Sequence, residues 1–256
     1  MGFIFLTVFT SIFRNRGLPV DASPANWLWL SLSGIVGFVL GDLFLFKSYT
    51  IIGSRFAMLI MALVPPMAAL FGWGLLGEQM NLLSMVGMIV TILGISMAIL
   101  SRKGSGLKLS LKLAPKGVLY AFGGAAGQAL GLVLSKRGMM GYDPFSATQI
   151  RIIAGILGFA ILITLMKRWS GIASAIIHRP AMTGITIGSF FGPFLGVSFS
   201  LLSVVYTKAG IASTIMAIVP VLIILPAIVI YKQKVTWIEL LGALISIGGV
   251  SLFFIL

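Results

Sequence analysis

The sequence predicts an all-α polytopic membrane protein built from two inverted five-helix repeats, and three observations predict it. Of 256 residues, 59% are hydrophobic and only 9% charged, and the mean hydropathy is +1.14. A soluble domain is about 45–50% apolar and about 25% charged. The apolar residues fall into nine runs, approximately 1–13, 28–50, 56–77, 81–101, 117–135, 146–168, 183–206, 210–231 and 236–256. Most reach the roughly 20 residues a helix needs to span hydrocarbon, and without a strand-like alternation a single chain spans lipid only as helices. Finally, the second half of the chain repeats the first at an offset of 155 residues.

Composition also excludes functions. The net charge of +13 comes from 18 Lys+Arg against 5 Asp+Glu. These charges sit in short gaps between apolar runs, where topology-setting cations of membrane proteins lie, so the expected partner is a lipid bilayer and not nucleic acid. There is no cysteine and one histidine, His178, so no thiolate or histidine-based metal site is expected, and no cofactor. No paired carboxylates, phosphate-binding glycine loop or nucleophile with its base suggest an enzyme.

Each segment adds something in order. The first, MGFIFLTVFTSIF, has 13 residues, about 20 Å of helix against a core of ~30 Å. It lacks the charged start and small-residue cleavage site of a signal peptide. The second carries Asp42 in GDLFLFKSY. A carboxylate at mid-bilayer costs about 2.5–3.5 kcal/mol, so Asp42 faces the interior, pairs with a cation such as Lys47 or Arg151, or is protonated. Proton coupling, substrate binding and a structural ion pair are its alternatives. The third and eighth segments carry Pro65 and Pro220 at equivalent positions. Each removes a backbone hydrogen bond, and paired interruptions of this kind either point to a transporter's binding site or mark packing kinks.

The stretch from Ser101 to Lys116, SRKGSGLKLSLKLAPK, is basic and punctuated by Gly and Pro. It reads as a surface linker, 102–116, between a first repeat at 1–101 and a second at 117–256. The fifth segment holds Gln128 and the glycines Gly123, Gly127 and Gly131; the sixth holds Gln149 and Arg151. Arg151 near a helix start is expected to snorkel to the interface, the alternative being an anionic substrate group. In the seventh, Gly184, Gly188, Gly192 and Gly196 recur every four residues, a spacing that lets helices pack closely. Ser198, Ser200 and Ser203 give it a polar side, for backbone or substrate.

The offset of 155 pairs Gly37 with Gly192, Gly41 with Gly196, Pro65 with Pro220, Gly87 with Gly242 and Gly94 with Gly249, with several apolar matches between. Glycines and a proline in one constant register indicate an internal duplication. The second unit begins near Gly117, so the counterpart of its start would precede Met1 by about 38 residues, and the first segment aligns with Ile156 onward. The expectation is that the first repeat lacks one helix and half of the next. About nine spans are present and ten are expected in the complete arrangement. Five helices per repeat, an odd number, turns the second repeat upside down relative to the first.

Two stretches now resemble a known family. GSRFAMLIMALVPPMAALFGWGLLGEQMNLLSMVGMIVTILGIS and AGIASTIMAIVPVLIILPAIVIYKQKVTWIELLGALISIGGVS resemble the EamA domain of the drug/metabolite transporter superfamily. They share a small-residue helix start, a mid-helix proline and a Gly-rich following helix. The Leu76-Gly77-Glu78 exit is replaced in the second copy by Tyr231-Lys232-Gln233. The resemblance implies ten helices, a central cavity and multi-pass insertion in the cell membrane. It also implies transport of a small-molecule substrate (a metabolite, amino acid or drug), often outward; the reading is a secondary transporter working by alternating access, with a proton gradient as the expected energy source if transport is active. A non-transporting assembly subunit, an inactive remnant and a channel are the rival readings. Counting cations places the 102–116 linker in the cytoplasm, whereas the family arrangement, with both termini cytoplasmic, places it outside. Substrate and oligomeric state are not fixed by the sequence.

Overall fold

The structure is a computed structural model. It describes residues 1–101, 114–169, 171, 176, 178–222 and 235–254, and the side chains of all of these but Arg55 and Pro220. The described residues form helices and turns, and seven helices are long and apolar enough to cross a membrane. In chain order these are Pro24–Ser54, Phe56–Leu76, Leu82–Ser101, Pro115–Gly138, Pro144–Leu165, Arg179–Tyr206 and Trp237–Phe254, preceded by the shorter apolar helix Gly2–Arg14. The expected segment 210–231 is described only as far as Leu222, and the linker 102–116 lies largely outside the described residues.

The elements are α1 (Gly2–Arg14), α2 (Pro24–Gly34), α3 (Asp42–Met61), α4 (Val64–Leu76), α5 (Leu82–Ser101), α6 (Pro115–Gly138) and α7 (Pro144–Leu165). They continue as α8 (Arg179–Ser189), α9 (Val197–Tyr206), α10 (Ala209–Met216), α11 (Val219–Leu222) and α12 (Trp237–Ser251). Local chemistry sets the starts. Ser23 caps α2 and exchanges bonds with Asn26 in a capping box, with Pro24 at a position where no N–H is needed. Asp143 caps α7 by accepting from the Ser146 N–H at 2.8 Å, and Thr236 with Glu239 boxes the start of α12.

Two irregularities recur at the repeat offset. A π-helical segment, Ile35–Gly41, joins α2 to α3, and a second, Phe190–Gly196, joins α8 to α9. Residues 35 and 190, like 41 and 196, are related by the same 155 positions that align the repeats. In the second, Pro193 lacks the N–H of a regular turn, and such insertions in helices concentrate at functional sites. The fourth helix of each repeat is likewise broken, at Ala62–Leu63 and at Ala217–Ile218, with Pro65 and Pro220 in the first turn after the break. The prolines therefore start half-helices instead of bending continuous ones. A further interruption is Gly53, at φ 77°, inside α3.

By contacts the chain divides into two compact units, Met1–Val39 with Gly131–Tyr206, and Leu40–Leu130 with Thr207–Leu256. In the first, α7 packs against α2, and α1 packs against α7 and the second π segment. Gly131 of α6 approaches so closely that a Cβ there would lie 2.8 Å from the Gly37 Cα. Phe5, Phe9, Phe145, Phe190 and Phe194 form an aromatic cluster.

In the second unit α5 and α12 form an antiparallel seam. A Cβ on Gly94 would sit 2.6 Å from the Gly242 carbonyl oxygen, and one on Gly242 would sit 2.7 Å from that of Gly94. Gly87 and Gly249 answer each other in the same way at 2.8 Å both ways. Thr91 and its repeat counterpart Ser246 face each other, the Ser246 hydroxyl donating to the Thr91 carbonyl at 3.4 Å. Contacts that map onto themselves when the repeats are exchanged define a two-fold relation, and across antiparallel helices that relation is the inverted repeat. Small residues make it close, as in membrane helix pairs generally.

Candidate functional site

The five acidic residues sort themselves by what they hold. Asp21 and Asp143 lie outside the long helices and bind Arg14, at 2.9 and 3.7 Å. Asp21 also accepts from the Tyr142 hydroxyl at 3.1 Å. Burial pushes the Asp21 carboxyl up, but its own backbone N–H, Tyr142 and Arg14 outweigh this and hold it below the usual carboxylate range. Burial also raises the Tyr142 phenol, so it stays a neutral donor. Glu78 caps α10, accepting from the Ala209 N–H at 2.7 Å, and Glu239 belongs to the α12 capping box. These four terminate or tie helices.

Asp42 does not. It lies inside the 31-residue helix Pro24–Ser54, immediately after the first π segment. Its carboxylate accepts a 2.6 Å hydrogen bond from the Gln128 amide of α6. Close backbone approach makes the pairing geometrically feasible, since a Cβ on Gly124 would lie 3.3 Å from the Gly41 carbonyl oxygen. Phe44 and Tyr120, with ring centroids 5.8 Å apart, lie one turn or two from the pair along the same helices. Of the sequence-derived site residues, Asp42 and Gln128 are thus brought together. The sequence offers the cations Lys47 and Arg151 as partners of Asp42, and the structure adds a neutral one, the Gln128 amide. Pro65 is buried in the same unit, at the break before α4.

Arg151 and Ser198 belong to the other unit. Arg151 does not snorkel. It is 5% exposed, and its guanidinium lies 4.4 Å from the Phe38 ring centroid, over the first π segment. The reason is that α7 starts at Pro144, two turns earlier, and that Gly34 lets the helices approach until a Cβ there would meet the Arg151 carbonyl oxygen at 2.5 Å. Ser198 follows the second π segment and is fully buried. Ser200 and Ser203 donate to carbonyls three residues back, as membrane serines do, whereas the Ser198 hydroxyl has no hydrogen-bond partner in the structure. Gln149 is structural: its amide donates to the Gly17 carbonyl at 2.8 Å and to Thr10 at 3.2 Å, fastening the turn after α1.

Gly184, Gly188, Gly192 and Gly196 are exposed, and a Cβ on any of the first three would meet nothing within 4 Å. The close packing their spacing predicts is absent among the described residues. The π segments were not anticipated as such. Their sequence signal was the coincidence of Gly37 with Gly192 and of Gly41 with Gly196. No group of three or more metal-ligating side chains occurs among the described residues.

Comparison with known proteins agrees with this organisation. The EamA-like transporter family model matches residues 1–100 and again 115–255. No curated protein matches the chain. A solved crystal structure superposes with a TM-score of 0.74 at 19% identity, over 99% of this chain and 85% of that one, a likeness of fold. Matched by the same family in both halves, and carrying the same helix irregularities in both, this multi-pass membrane protein belongs to the EamA-like transporter family.

Proposed function

We propose that the protein carries a small organic solute across the cell membrane by alternating access, with Asp42 as the coupling or substrate-binding carboxylate. The observation that carries this reading is the placement of both irregularities, the π segment and the broken helix, at the same repeat positions. Irregular backbone at membrane depth is tolerated where protein or a cavity satisfies it, and its pairing across inverted repeats is the pattern on which rocking carriers are built. A π turn holds one residue more than an α turn, so shifting it along a helix rotates the side chains that follow. Asp42 and Ser198 each follow a π segment closely, which supports their being turned in this way.

Whereas Asp21, Asp143, Glu78 and Glu239 cap or tie helix ends, Asp42 lies inside the long apolar helix Pro24–Ser54. Ionised, it accepts from Gln128; a proton or a solute donor competes for the same oxygens. A drop in proton concentration on one side then drives solute exchange. Pro65, Pro220, Arg151 and Ser198 are the further candidates for contact with the solute. Purified protein in liposomes tests the reading: saturable solute uptake dependent on a pH gradient supports it, and its loss in Asp42→Asn at unchanged membrane yield assigns the role. A non-transporting subunit or remnant is the second reading, favoured by the bare glycine face of α8; absence of protein-dependent uptake would support it, and uptake that never saturates would support a channel.

A further inference from the structure

The Leu76-Gly77-Glu78 exit, replaced in the second repeat by Tyr231-Lys232-Gln233, is built around one bond. Leu76 ends α4, and Gly77, at φ 69°, takes the left-handed conformation that turns the chain back. The Glu78 N–H then donates to the Gly72 carbonyl at 3.1 Å. Gly72 leaves room for the Glu78 side chain, since a Cβ there would lie 2.8 Å from its carboxylate. The carboxylate lands on the start of α10, accepting from the Ala209 N–H at 2.7 Å. Lys208, the residue before α10, supplies no side-chain cap of its own, and its ammonium donates instead to the Gln79 carbonyl. The two segments are thus tied twice, by a carboxylate at a helix start, which the helix dipole favours, and by an ammonium on a carbonyl. Gly210 lets them meet: a Cβ on it would lie 2.7 Å from the Ala69 Cβ.

Both tied segments are half-helices. α4 begins at the Ala62–Leu63 break and α10 ends at the Ala217–Ile218 break, so each can move without bending a continuous helix. They also belong to different repeats. At the offset of 155 residues Glu78 corresponds to Gln233 and Lys208 to Gly53. The reciprocal tie, from the end of the second copy to the start of the first, therefore has neither charged member. Alternating access rocks one repeat against the other, so a tie between repeats holds in one state and is released in the opposite one.

We propose that Glu78 is a conformational latch: it holds the entry of α10 against the exit of α4, and its release frees α10 for the opposite state. This rests on the alternating-access reading and adds what biases the two states. With a carboxylate and an ammonium at one end, and an amide and a glycine at the other, the resting chain favours the state in which the Glu78 end is tied.

The chain has no native cysteine, so thiol labelling of the purified protein reads the latch. Ser213 lies one turn into α10 on the side of Gly210 and is 3% exposed. Ser246, fully buried in the α5–α12 seam, is the control. N-ethylmaleimide should modify Ser213→Cys about tenfold faster when Glu78→Ala is added, the population change that a lost helix cap of ~1.4 kcal/mol produces. Ser246→Cys should stay equally slow in both backgrounds. Unchanged labelling of Ser213→Cys overturns the latch. So does equal acceleration at Ser246→Cys, which would mean that Glu78 only holds the fold together. If Glu78→Ala does not accumulate, Glu78→Gln takes its place. It keeps an acceptor oxygen and loses the charge, which halves the bond and is expected to give about threefold on the same criteria. Labelling needs no solute. A protein that labels as expected but carries nothing in liposomes loses the alternating-access reading and keeps the latch. One that carries solute while Glu78→Ala leaves Ser213→Cys protected keeps that reading and loses the latch.

Discussion

The third helix occurs twice in this chain, as Pro24–Ser54 and as Arg179–Tyr206, and the two copies live in different surroundings. Both carry a proline in their first turn, both carry a seven-residue π segment at the same repeat position, and both put small residues on one face. In the first copy Ser33, Gly37 and Gly41 are buried; in the second Gly188, Gly192 and Gly196 are exposed. The π segment persists in both. It is therefore a property of the local sequence and the duplication, not a consequence of what packs against the small-residue face. The burial of the small-residue face, by contrast, depends on what packs against it: Gly131 lies against Gly37, and nothing lies within 4 Å of a Cβ on Gly192.

That comparison can be broken most sharply by adding bulk to each face. In the 256-residue chain, Gly131→Leu drives a side chain into the Gly37 backbone, which cannot yield as a flexible side chain can. We expect a loss of about 3 kcal/mol or failure to fold, the upper range for overpacking, read as thermal stability in detergent. Gly192→Leu in the same chain meets open space and should change stability by no more than about 0.5 kcal/mol. Equal losses from the two would end the distinction.

A smaller effect separates the hydroxyls. Ser33 donates to the Gly131 carbonyl and shares a 2.6 Å bond with Ser135, so Ser33→Ala should cost about 1 kcal/mol per bond lost. Ser198 is buried without a hydrogen-bond partner in the structure, so Ser198→Ala should leave stability unchanged or raise it slightly. A raised KM in that variant, with stability unchanged, would place Ser198 at the solute.

The smallest effect lies in the turn after α1. The Asp21 carboxyl titrates below its ordinary value when folded, so its contribution is fully present above the unfolded value of about 3.9 and is lost as pH falls through the lower, folded one. Protection of residues 15–22 against hydrogen exchange, taken relative to the intrinsic rate at each pH, should therefore fall on acidification below about pH 4. Asp21→Asn should show the faster exchange already at neutral pH, and a pH response unchanged by this substitution would remove Asp21 as its cause.

Much of this was legible in the sequence, and the illegible part has physical causes. The helices were readable because lipid demands long apolar runs, and the duplication because glycines and prolines mark backbone constraints that drift little. Hydropathy alone starts the second apolar run at residue 28, whereas the helix begins at Pro24 because Ser23 and Asn26 form a capping box ahead of the run. Arg151 reads as a helix-opening residue because nothing in the apolar run marks Asp143 as the cap two turns earlier. The π segments carry no composition of their own; only the paired glycines hinted at them. The Asp42–Gln128 bond joins residues 86 positions apart, and no periodicity encodes such a meeting.

The central claim is that Asp42 couples solute movement to protons, and solute-driven proton flux in liposomes tests it most directly. Wild-type protein should dissipate an imposed pH gradient when a transported solute is added, saturably, and Asp42→Asn should abolish that flux while still folding and binding detergent micelles as a single species. Equal flux from the variant would contradict the account and return Asp42 to a structural role beside Gln128.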